Sequence, residues 1–333
     1  MDDDLRFPPF VPHFLVPTGH LQTLAGAYWP GIYFPHRALH LEVVLDDGDR
    51  VVVHDDLPPN WEKGSRVVLL LHGLGGSHRS PAMERTAGKL VEKGVRAFRL
   101  DMRGCGAGGG LSRALHHAGR SDDIRAVIRQ IAEWCPESPL TLVGFSLGGN
   151  VTLKTIGELG DDRCGGLDSA AAIAPPLDLE ASSSHISTGF NQIYDRYFAW
   201  LCLQLFAEHR RQWPEFRKLP INPAPLRLRD FDDRYTAPLS GFSSVDDYYH
   251  RASAARVVDR IRIPTLVITA ADDPAVPVES FRVAPFSSSV VLRITEHGGH
   301  LGHIGAGGVD PDNRWLEWRV VEWVEEMEKR RKA

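Results

Sequence analysis

The stretch of residues 139–154, which reads PLTLVGFSLGGNVTLK, constrains the fold more strongly than any other part of this chain. Residues 140–143 form a short apolar and partly β-branched run, which is typical of a buried strand. A G-x-S-x-G turn follows at 144–148, and residues 147–159 carry a helical apolar pattern. A strand, this turn and a helix in that order predict a nucleophile elbow, with Ser146 held at the N-terminus of the helix. A Cβ on either flanking glycine would clash in so tight a turn.

Most of the remaining chain alternates between strand and helix patterns. Apolar runs predict eight strands, at 39–45, 51–55, 66–72, 95–101, 140–143, 170–174, 265–271 and 290–295. Helical patterns follow several of them, at 81–93, 122–134, 147–159 and 313–330. The first two strands flank Asp46-Asp47-Gly48, which is a hairpin signal. The alternation predicts an α/β fold with a mostly parallel central sheet of about eight strands, helices on both faces and an antiparallel hairpin at its start.

Two segments fall outside this alternation. Residues 5–38 are rich in proline and aromatic residues and show neither period, so we predict an irregular N-terminal segment, 1–38, packed on the core. Residues 177–250 contain apolar side chains at helical spacing, namely Phe190, Ile193, Tyr194, Tyr197, Phe198, Leu201, Leu205 and Phe206. That pattern fits an amphipathic helix packed on the core, and it fits a helical cap insertion over an active site. We therefore divide the chain into a core, 39–176 with 251–333, and a cap or lid insertion, 177–250.

Composition narrows the class of protein. The net charge of −5 argues against nucleic acid as a partner, because phosphate binding needs a basic face. The acidic start, Met1-Asp2-Asp3-Asp4, does not match a signal peptide or a membrane anchor, and no apolar run approaches the roughly 20 residues of a spanning helix. The four cysteines are scattered, which favours free thiols in a reducing compartment. We expect a cytoplasmic protein without an integral membrane segment, of unspecified oligomeric state.

Three predicted strands end in residues that can form a catalytic triad. Ser146 follows the strand at 140–143, Asp272 and Asp273 follow the strand at 265–271, and His300 comes shortly after the last strand. In parallel sheets the chemistry lies at the carboxyl ends of the strands. The order Ser, Asp, His is the order of the triad in α/β-hydrolases. We assign Ser146 as nucleophile, His300 as base and Asp273 as the carboxylate, with Asp272 as the alternative carboxylate.

A metal site is the other interpretation of the histidines near residue 300. His297, His300 and His303 form H-x-x-H-x-x-H, which could ligate zinc on a helix. Three glycines in the same stretch disfavour a helix, while Gly298 and Gly299 allow the tight turn that would project His300 toward the elbow. We therefore predict no metal ligands and no cofactor.

Acyl transfer also needs donors for the developing oxyanion, and a glycine-rich loop follows the third strand. His72-Gly73-Leu74-Gly75-Gly76 stands where an H-G-G-G-like loop supplies one backbone N–H. We assign the N–H groups of Leu74 and Leu147 to the oxyanion hole; the alternative is a turn that merely reverses the chain. No phosphate-loop motif is present. Cys105, after the fourth strand, lacks the elbow context of a nucleophile.

Ten short motifs resemble, in order, the YheT-like branch of the α/β-hydrolases, the AB hydrolase 4 family. They are GHLQT at 19–23, HGLGG at 72–76, RGCG at 103–106, HAGRSDD at 117–123, GFSLGGN at 144–150, PPLDL at 175–179, YTAPLSGF at 235–242, DYY at 247–249, ADDP at 271–274 and GGHLG at 298–302. The resemblance implies a serine hydrolase with a Ser146–Asp273–His300 triad acting on carboxylic, lipid-like esters. Eukaryotic relatives often carry an N-terminal membrane anchor; residues 1–38 show no such pattern, so we expect a protein without one. Relatives also have an aromatic residue where this chain has His303, which predicts an altered rim of the site.

The resulting functional hypothesis is an esterase or lipase-like hydrolase that forms an acyl-enzyme on Ser146. The apolar residues of the predicted cap favour medium- or long-chain acyl esters, so the expected partner is a small or lipid-like ester. An acyltransferase or another non-hydrolytic enzyme of this fold is the alternative. A non-catalytic binding protein is disfavoured, because every triad residue is present.

Overall fold

The structure is a computed structural model that describes residues 7–32, 38–219 and 227–333. The acidic start of the chain, Met1–Asp4, lies outside the described residues, as does part of the predicted cap.

The central sheet has eight strands and confirms the predicted α/β architecture. They are β1 (Leu39–Val44), β2 (Arg50–Asp56), β3 (Val67–Leu71), β4 (Arg96–Asp101), β5 (Leu140–Phe145), β6 (Leu167–Ile173), β7 (Thr265–Ala270) and β8 (Val290–Thr295). Their order across the sheet is β1-β2-β4-β3-β5-β6-β7-β8. β2 runs antiparallel to β1 and to β4, and all other neighbours are parallel.

The central strands are buried because helices cover both faces of the sheet. Every residue of β3 and β5 is buried, as the continuous apolar runs predict. Successive side chains of β3 enter opposite layers: Leu69 belongs to the cluster on one face, and Leu70 to the cluster on the other. Because β3 to β8 run parallel, their carboxyl ends lie along one edge of this buried sheet.

The described residues contain eleven α-helices. They are α1 (Gly19–Tyr28), α2 (Pro81–Glu92), α3 (Ser121–Trp134), α4 (Leu147–Leu159), α5 (Leu179–Ile186), α6 (Gln192–Gln212), α7 (Leu228–Phe231), α8 (Ala237–Leu239), α9 (Val245–Ala252), α10 (Glu279–Val283) and α11 (Trp315–Lys332). No helix in this part of the chain combines the length and apolar character needed to cross a membrane.

The predicted irregular N-terminal segment is wrong over α1. This helix was missed because it has no apolar stripe: only Gly19 and Gln22 of its ten residues are buried. Tertiary contacts hold it instead. The Gln22 side chain donates to the carbonyls of Val16 and Ile304 (2.7 and 3.1 Å) and accepts from the Ile304 N–H (2.6 Å). Arg314 donates to the carbonyls of Gly26 and Trp29 near the C-terminal end of α1.

Helices α5 to α9, joined by short loops, lie between β6 and β7, and the described residues of this segment contain no strand. Leu179, from α5, and Val245 and Tyr248, from α9, pack with Leu147 at the start of α4. Phe206 of α6 packs with Phe231 of α7 in a separate apolar cluster. The insertion therefore contacts the core beside the predicted elbow.

Candidate active site

The turn between β5 and α4 has the strained geometry of a nucleophile elbow. Ser146 has φ 51° and ψ −120°, a conformation that costs about 1–3 kcal/mol for a non-glycine residue. Its N–H donates to the carbonyl of Ile173 on β6 (2.8 Å). As predicted, the flanking glycines have no room for a side chain: a Cβ on Gly144 would lie 2.1 Å from the Gly148 carbonyl oxygen, and one on Gly148 would lie 2.5 Å from that of His72. Packing and hydrogen bonding thus hold the partly exposed serine in this strained conformation.

Ser146, His300 and Asp273 form one hydrogen-bonded chain. The Oγ of Ser146 lies 2.8 Å from Nε2 of His300, and Nδ1 of His300 lies 2.8 Å from Oδ2 of Asp273. The other oxygen of Asp273 accepts from the N–H groups of Ala275 and Val276. Because a carboxylate only accepts, Nδ1 carries the proton and donates it, which leaves the Nε2 lone pair facing the serine hydroxyl. This arrangement can remove the hydroxyl proton during attack on a carbonyl carbon.

Asp272, the alternative carboxylate, has different partners. Oδ1 of Asp272 accepts from the Gly299 N–H (2.9 Å), and Oδ2 lies 3.2 Å from Nδ1 of His297. Neighbouring residues at the end of β7 therefore point to opposite sides: Asp273 contacts the imidazole of His300, and Asp272 fixes the loop that carries it.

Helix α1 supports the same loop. The Oγ1 of Thr23 accepts from the backbone N–H of His300 (2.8 Å) and donates to the carbonyl of Gly19 (2.7 Å). A Cβ on Gly299, whose φ is +57°, would lie 2.1 Å from that carbonyl oxygen. Sequence reasoning missed this support, although the GHLQT motif that supplies Thr23 was part of the family resemblance.

The prediction that His303 alters the rim of the site is wrong. Its ring is buried behind the loop, where it stacks on Trp315 and contacts Phe10, and its Nε2 lies 2.9 Å from Oγ1 of Thr295. Burial lowers the pKa of His303 to about 4, so the ring is neutral. The ring packs at the position where relatives have an aromatic residue. His303 is not among the described residues that line the cavity at Ser146.

The glycine-rich loop after β3 lies against the nucleophile. A Cβ on Gly73 would be 3.1 Å from the Cβ of Ser146. The buried His72 shapes this loop by donating from Nδ1 to the Gly73 carbonyl (2.7 Å) while Nε2 accepts from the Met102 N–H (3.2 Å). Leu74 and Leu147, the predicted oxyanion-hole residues, both line the cavity that contains Ser146 and His300. Leu147 is the first residue of α4, so its N–H has no acceptor within the helix.

A largely apolar cavity of about 160 Å³ opens at Ser146 and His300. Phe198, Leu205 and Phe206 of α6 form much of one wall. Cys105 also lines the cavity, and burial raises the pKa of its thiol to about 12. The thiol is therefore protonated and a poor nucleophile, in keeping with its position outside the elbow.

Comparison with known families agrees with this geometry. The model of the Hydrolase_4 family, described as serine aminopeptidase, S33, matches residues 62–300, which is more than two thirds of the chain. The chain belongs to the Hydrolase_4 family. Membership confirms the predicted α/β-hydrolase fold, and the relatives confirm the resemblance to the YheT-like branch.

Two relatives and one solved structure show which known proteins this chain resembles. The Escherichia coli K12 protein named "Putative esterase YheT" is 34% identical over 289 residues, which cover 84% of this chain and 82% of that protein. "Medium-chain fatty acid ethyl ester synthase/esterase 2" of Saccharomyces cerevisiae is 28% identical over 315 residues, covering 84% and 66%. The structure of the Pyrococcus furiosus esterase Pf2001 aligns with a TM-score of 0.56 over 97% of both chains; at 18% identity it shows the fold alone.

The cavity of this Hydrolase_4 protein also contains polar groups that sequence reasoning did not single out. His116, His209 and Asp232 all line it. Burial raises the pKa of Asp232 to about 6, although its carboxylate accepts from the Tyr249 hydroxyl (2.8 Å). The three residues come from separate parts of the chain and share no motif, so only the fold brings them together.

His54, His78 and Asp101 form a buried cluster, and none of the three lines the cavity. Nε2 of His54 and Nδ1 of His78 lie 2.8 and 2.7 Å from Oδ2 of Asp101, and the N–H groups of His78 and Ala107 also donate to this carboxylate. The two imidazoles stack with centroids 3.4 Å apart at 13°, and one nitrogen of each ring faces the same carboxylate oxygen. The cluster is therefore a carboxylate held by four donors that ties the loop after β3 to the end of β4.

Proposed function

We propose that this chain hydrolyses carboxylic esters through an acyl-enzyme formed on Ser146. The observation that carries the proposal is the hydrogen-bonded chain from Ser146 through His300 to Asp273 beside an apolar cavity. The esterase names of the relatives in Escherichia coli and Saccharomyces cerevisiae support the same reaction class.

Each residue of the chain has a defined task in this reaction. Ser146 Oγ attacks the ester carbonyl carbon while His300 Nε2 takes the hydroxyl proton, and Asp273 stabilises the imidazolium that forms. The backbone N–H groups of Leu74 and Leu147 stabilise the oxyanion. His300 then protonates the departing alcohol oxygen. Water attacks the acyl-enzyme, again with His300 as base, and releases the carboxylic acid and the free serine.

The cavity supports a medium-chain acyl group. A protein cavity of about 150 Å³ holds benzene, so about 160 Å³ accommodates on the order of six carbon atoms. Longer chains must extend past the mouth. Because Phe198, Leu205 and Phe206 of α6 line this space, we assign residues 177–250 as the cap that selects the acyl chain.

A cytoplasmic location fits the cysteine chemistry. Cys105, Cys135, Cys164 and Cys202 are all buried and free. Free thiols are typical of proteins that work in a reducing compartment. Fractionation of the host cells, with immunodetection of the protein, tests this assignment.

A fluorophosphonate probe tests the nucleophile, and a series of p-nitrophenyl esters tests the substrate. Wild type and Ser184→Ala, which changes an exposed serine of α5, should both react with the probe, and Ser146→Ala should not. Turnover should peak near the hexanoyl ester and fall for dodecanoyl. Failure of the folded wild type to react with the probe would refute the proposed mechanism.

Acyl transfer to an alcohol is the second candidate function. The yeast relative is named both synthase and esterase, and the apolar cavity would admit an alcohol as readily as water. Product analysis with hexanoyl ester in dilute ethanol separates the two functions. A hydrolase yields mainly hexanoic acid, whereas a transferase yields mainly ethyl hexanoate.

A further inference from the structure

Helix α1 directs its large apolar side chains away from the core. Gly19 and Gln22 are its buried residues. Leu21, Leu24 and Tyr28 follow one another at spacings of three and four residues on the other side of the helix, with exposed fractions between 42% and 86%. The solvent side of a surface helix is normally polar. The outer side of α1 therefore lacks the polar cover of an ordinary surface helix.

The first half of α6 is apolar on two opposite sides. Phe198 and Phe206 line the cavity at Ser146. Ile193, Tyr197 and Trp200, spaced by four and three residues, lie on the other side, and each is more than half exposed. The rings of Tyr197 and Trp200 stack there with centroids 6.2 Å apart. A helix that is apolar on both sides is normally covered on both, so this outer side is suited to a further partner.

His20 of α1 joins the two helices at the surface. Its Nδ1 lies 3.1 Å from the hydroxyl of Tyr194 at the start of α6, and its ring packs edge-on against Phe190 with centroids 5.0 Å apart. Because Phe190 is 66% exposed, this contact lies at the protein surface. The name apolar face is used below for six exposed residues: Leu21, Leu24, Tyr28, Ile193, Tyr197 and Trp200.

The segments that carry the apolar face expose no acidic group. Residues 7–32 contain no Asp, Glu, Lys or Arg, although 24% of the chain is charged and its net charge is −5. In the first half of α6, Asp195 is buried, and its carboxylate accepts from the Leu228 N–H (2.7 Å). Arg196 beside it is exposed. A face with one exposed arginine and no exposed carboxylate on an acidic protein is complementary to phosphate headgroups above acyl chains.

The apolar face also adjoins the catalytic site through both of its helices. On α1, Thr23 Oγ1 accepts from the His300 N–H (2.8 Å), and α6 supplies the apolar wall of the cavity. An acyl chain longer than about six carbons must continue outside a cavity of about 160 Å³. A lipid layer on the apolar face would accept that remainder, whereas a second copy of the chain would compete for the same surface. Exposed Trp and Tyr side chains are also typical of membrane–water interfaces.

We infer that the apolar face docks on the surface of a phospholipid bilayer, with α1 and the first half of α6 lying in the headgroup region. The choice of a lipid partner rests in part on the proposed hydrolysis of medium- and long-chain esters. Docking itself is measured without an ester, so the two ideas are tested separately.

Flotation with phosphatidylcholine vesicles tests the docking of the purified full chain. The wild type should float with the vesicles, and raising NaCl from about 0.1 to 0.5 M should change the bound fraction less than twofold, because apolar contact is not screened by salt. Leu24→Gln combined with Tyr28→Gln should lower the partition coefficient at least about tenfold, as should Ile193→Gln combined with Trp200→Gln. That is the effect of withdrawing roughly one apolar side chain from an apolar environment.

A matched control removes exposed apolar residues from other parts of the surface. Leu57 and Val283 are 50% and 81% exposed and lie outside both helices of the apolar face. The double variant Leu57→Gln with Val283→Gln should bind vesicles as the wild type does.

Brominated lipid reports the orientation of the bound protein. Among the eight tryptophans, all of which lie in described residues, only Trp200 is exposed. Phosphatidylcholine brominated near the headgroup end of its acyl chains should therefore quench the fluorescence of the wild type. Trp200→Phe, which keeps an apolar ring, should still bind the vesicles but lose most of the quenching.

The outcomes separate this inference from the proposed function. A folded wild type that hydrolyses p-nitrophenyl hexanoate but does not float with vesicles overturns the inference and leaves ester hydrolysis intact. Equal losses in the control and in the two variants of the apolar face also overturn it, as does quenching that persists in Trp200→Phe. A wild type that binds no vesicles and forms a dimer that both variants dissociate in analytical ultracentrifugation assigns the face to a second copy instead. Vesicle binding by a folded wild type that fails to react with a fluorophosphonate supports docking and overturns the proposed function.

Discussion

Replacing Asp273 with asparagine tests whether this carboxylate fixes the tautomer of His300. In the wild type, Oδ1 of Asp273 accepts from the Ala275 and Val276 N–H groups, and Oδ2 accepts from Nδ1 of His300. In Asp273→Asn the amide oxygen can keep the two backbone bonds, so the amide NH₂ faces His300. That donor stabilises the tautomer with the proton on Nε2, which cannot accept the proton of Ser146.

The expected loss is large because the base itself is lost. Replacement of a triad aspartate by asparagine lowers kcat by about 10³–10⁴, which is about 4–5.5 kcal/mol of transition-state stabilisation. The folding stability should change little, since the asparagine is isosteric. Steady-state hydrolysis of p-nitrophenyl hexanoate and thermal unfolding measure the two effects.

Asp272→Asn is the matched control at the adjacent position. An asparagine there can still accept from the Gly299 N–H, and the Asp272 carboxylate does not contact the His300 ring among the described interactions. We expect this variant to keep kcat within about tenfold of wild type, since only hydrogen bonds of the supporting loop change. The reasoning is refuted if Asp273→Asn retains a tenth of wild-type kcat, or if Asp272→Asn is the more damaging change.

Three further predictions concern the supports of the site. Gly299→Ala should lower stability and activity, because its Cβ would lie 2.1 Å from the Gly19 carbonyl oxygen. Gly160→Ala, with the same φ of +57° and open space around it, should cost only the backbone strain of about 1–3 kcal/mol in a denaturant titration. Thr23→Val removes the acceptor of the His300 N–H and should reduce kcat about tenfold with little change in KM, whereas an unchanged kcat would exclude a positioning role for α1. Burial raises the folded-state pKa of Asp232 to about 6 from an ordinary 3.8, so its ionisation destabilises the fold as the pH rises from about 4 to 6.5. Relative to Asp232→Asn, the wild type should lose up to about 3 kcal/mol of unfolding free energy over that range; parallel stability curves would contradict the assignment.

The sheet and the elbow could be predicted because their physical constraints are local. β3 and β5 are buried on both faces, so their sequences are continuously apolar. The Ser146 turn needs glycine at 144 and 148, and that requirement is visible in the sequence itself. The juxtaposition of Asp273 and His300 with Ser146 followed from one rule, that chemistry lies at the carboxyl ends of parallel strands.

The supports of the site could not be predicted because they depend on contacts between distant segments. Helix α1 is stable through Gln22 and Arg314, and no periodicity within its own ten residues reveals this. His303 shows the same limit: its replacement of the aromatic residue of relatives suggested an altered rim, but the fold buries this ring against Trp315. Likewise, His116 and His209 line one cavity although they come from the loop that follows β4 and from α6.

Trapping the acyl-enzyme tests the central claim most directly. The wild type is mixed with excess p-nitrophenyl hexanoate, quenched in acid within the first turnovers, digested and analysed by mass spectrometry. We predict a hexanoyl group on the peptide that contains Ser146, at the serine itself, and none in Ser146→Ala. Turnover of the ester in Ser146→Ala at the wild-type rate, or a hexanoyl group on any other side chain of the active wild type, would contradict the account.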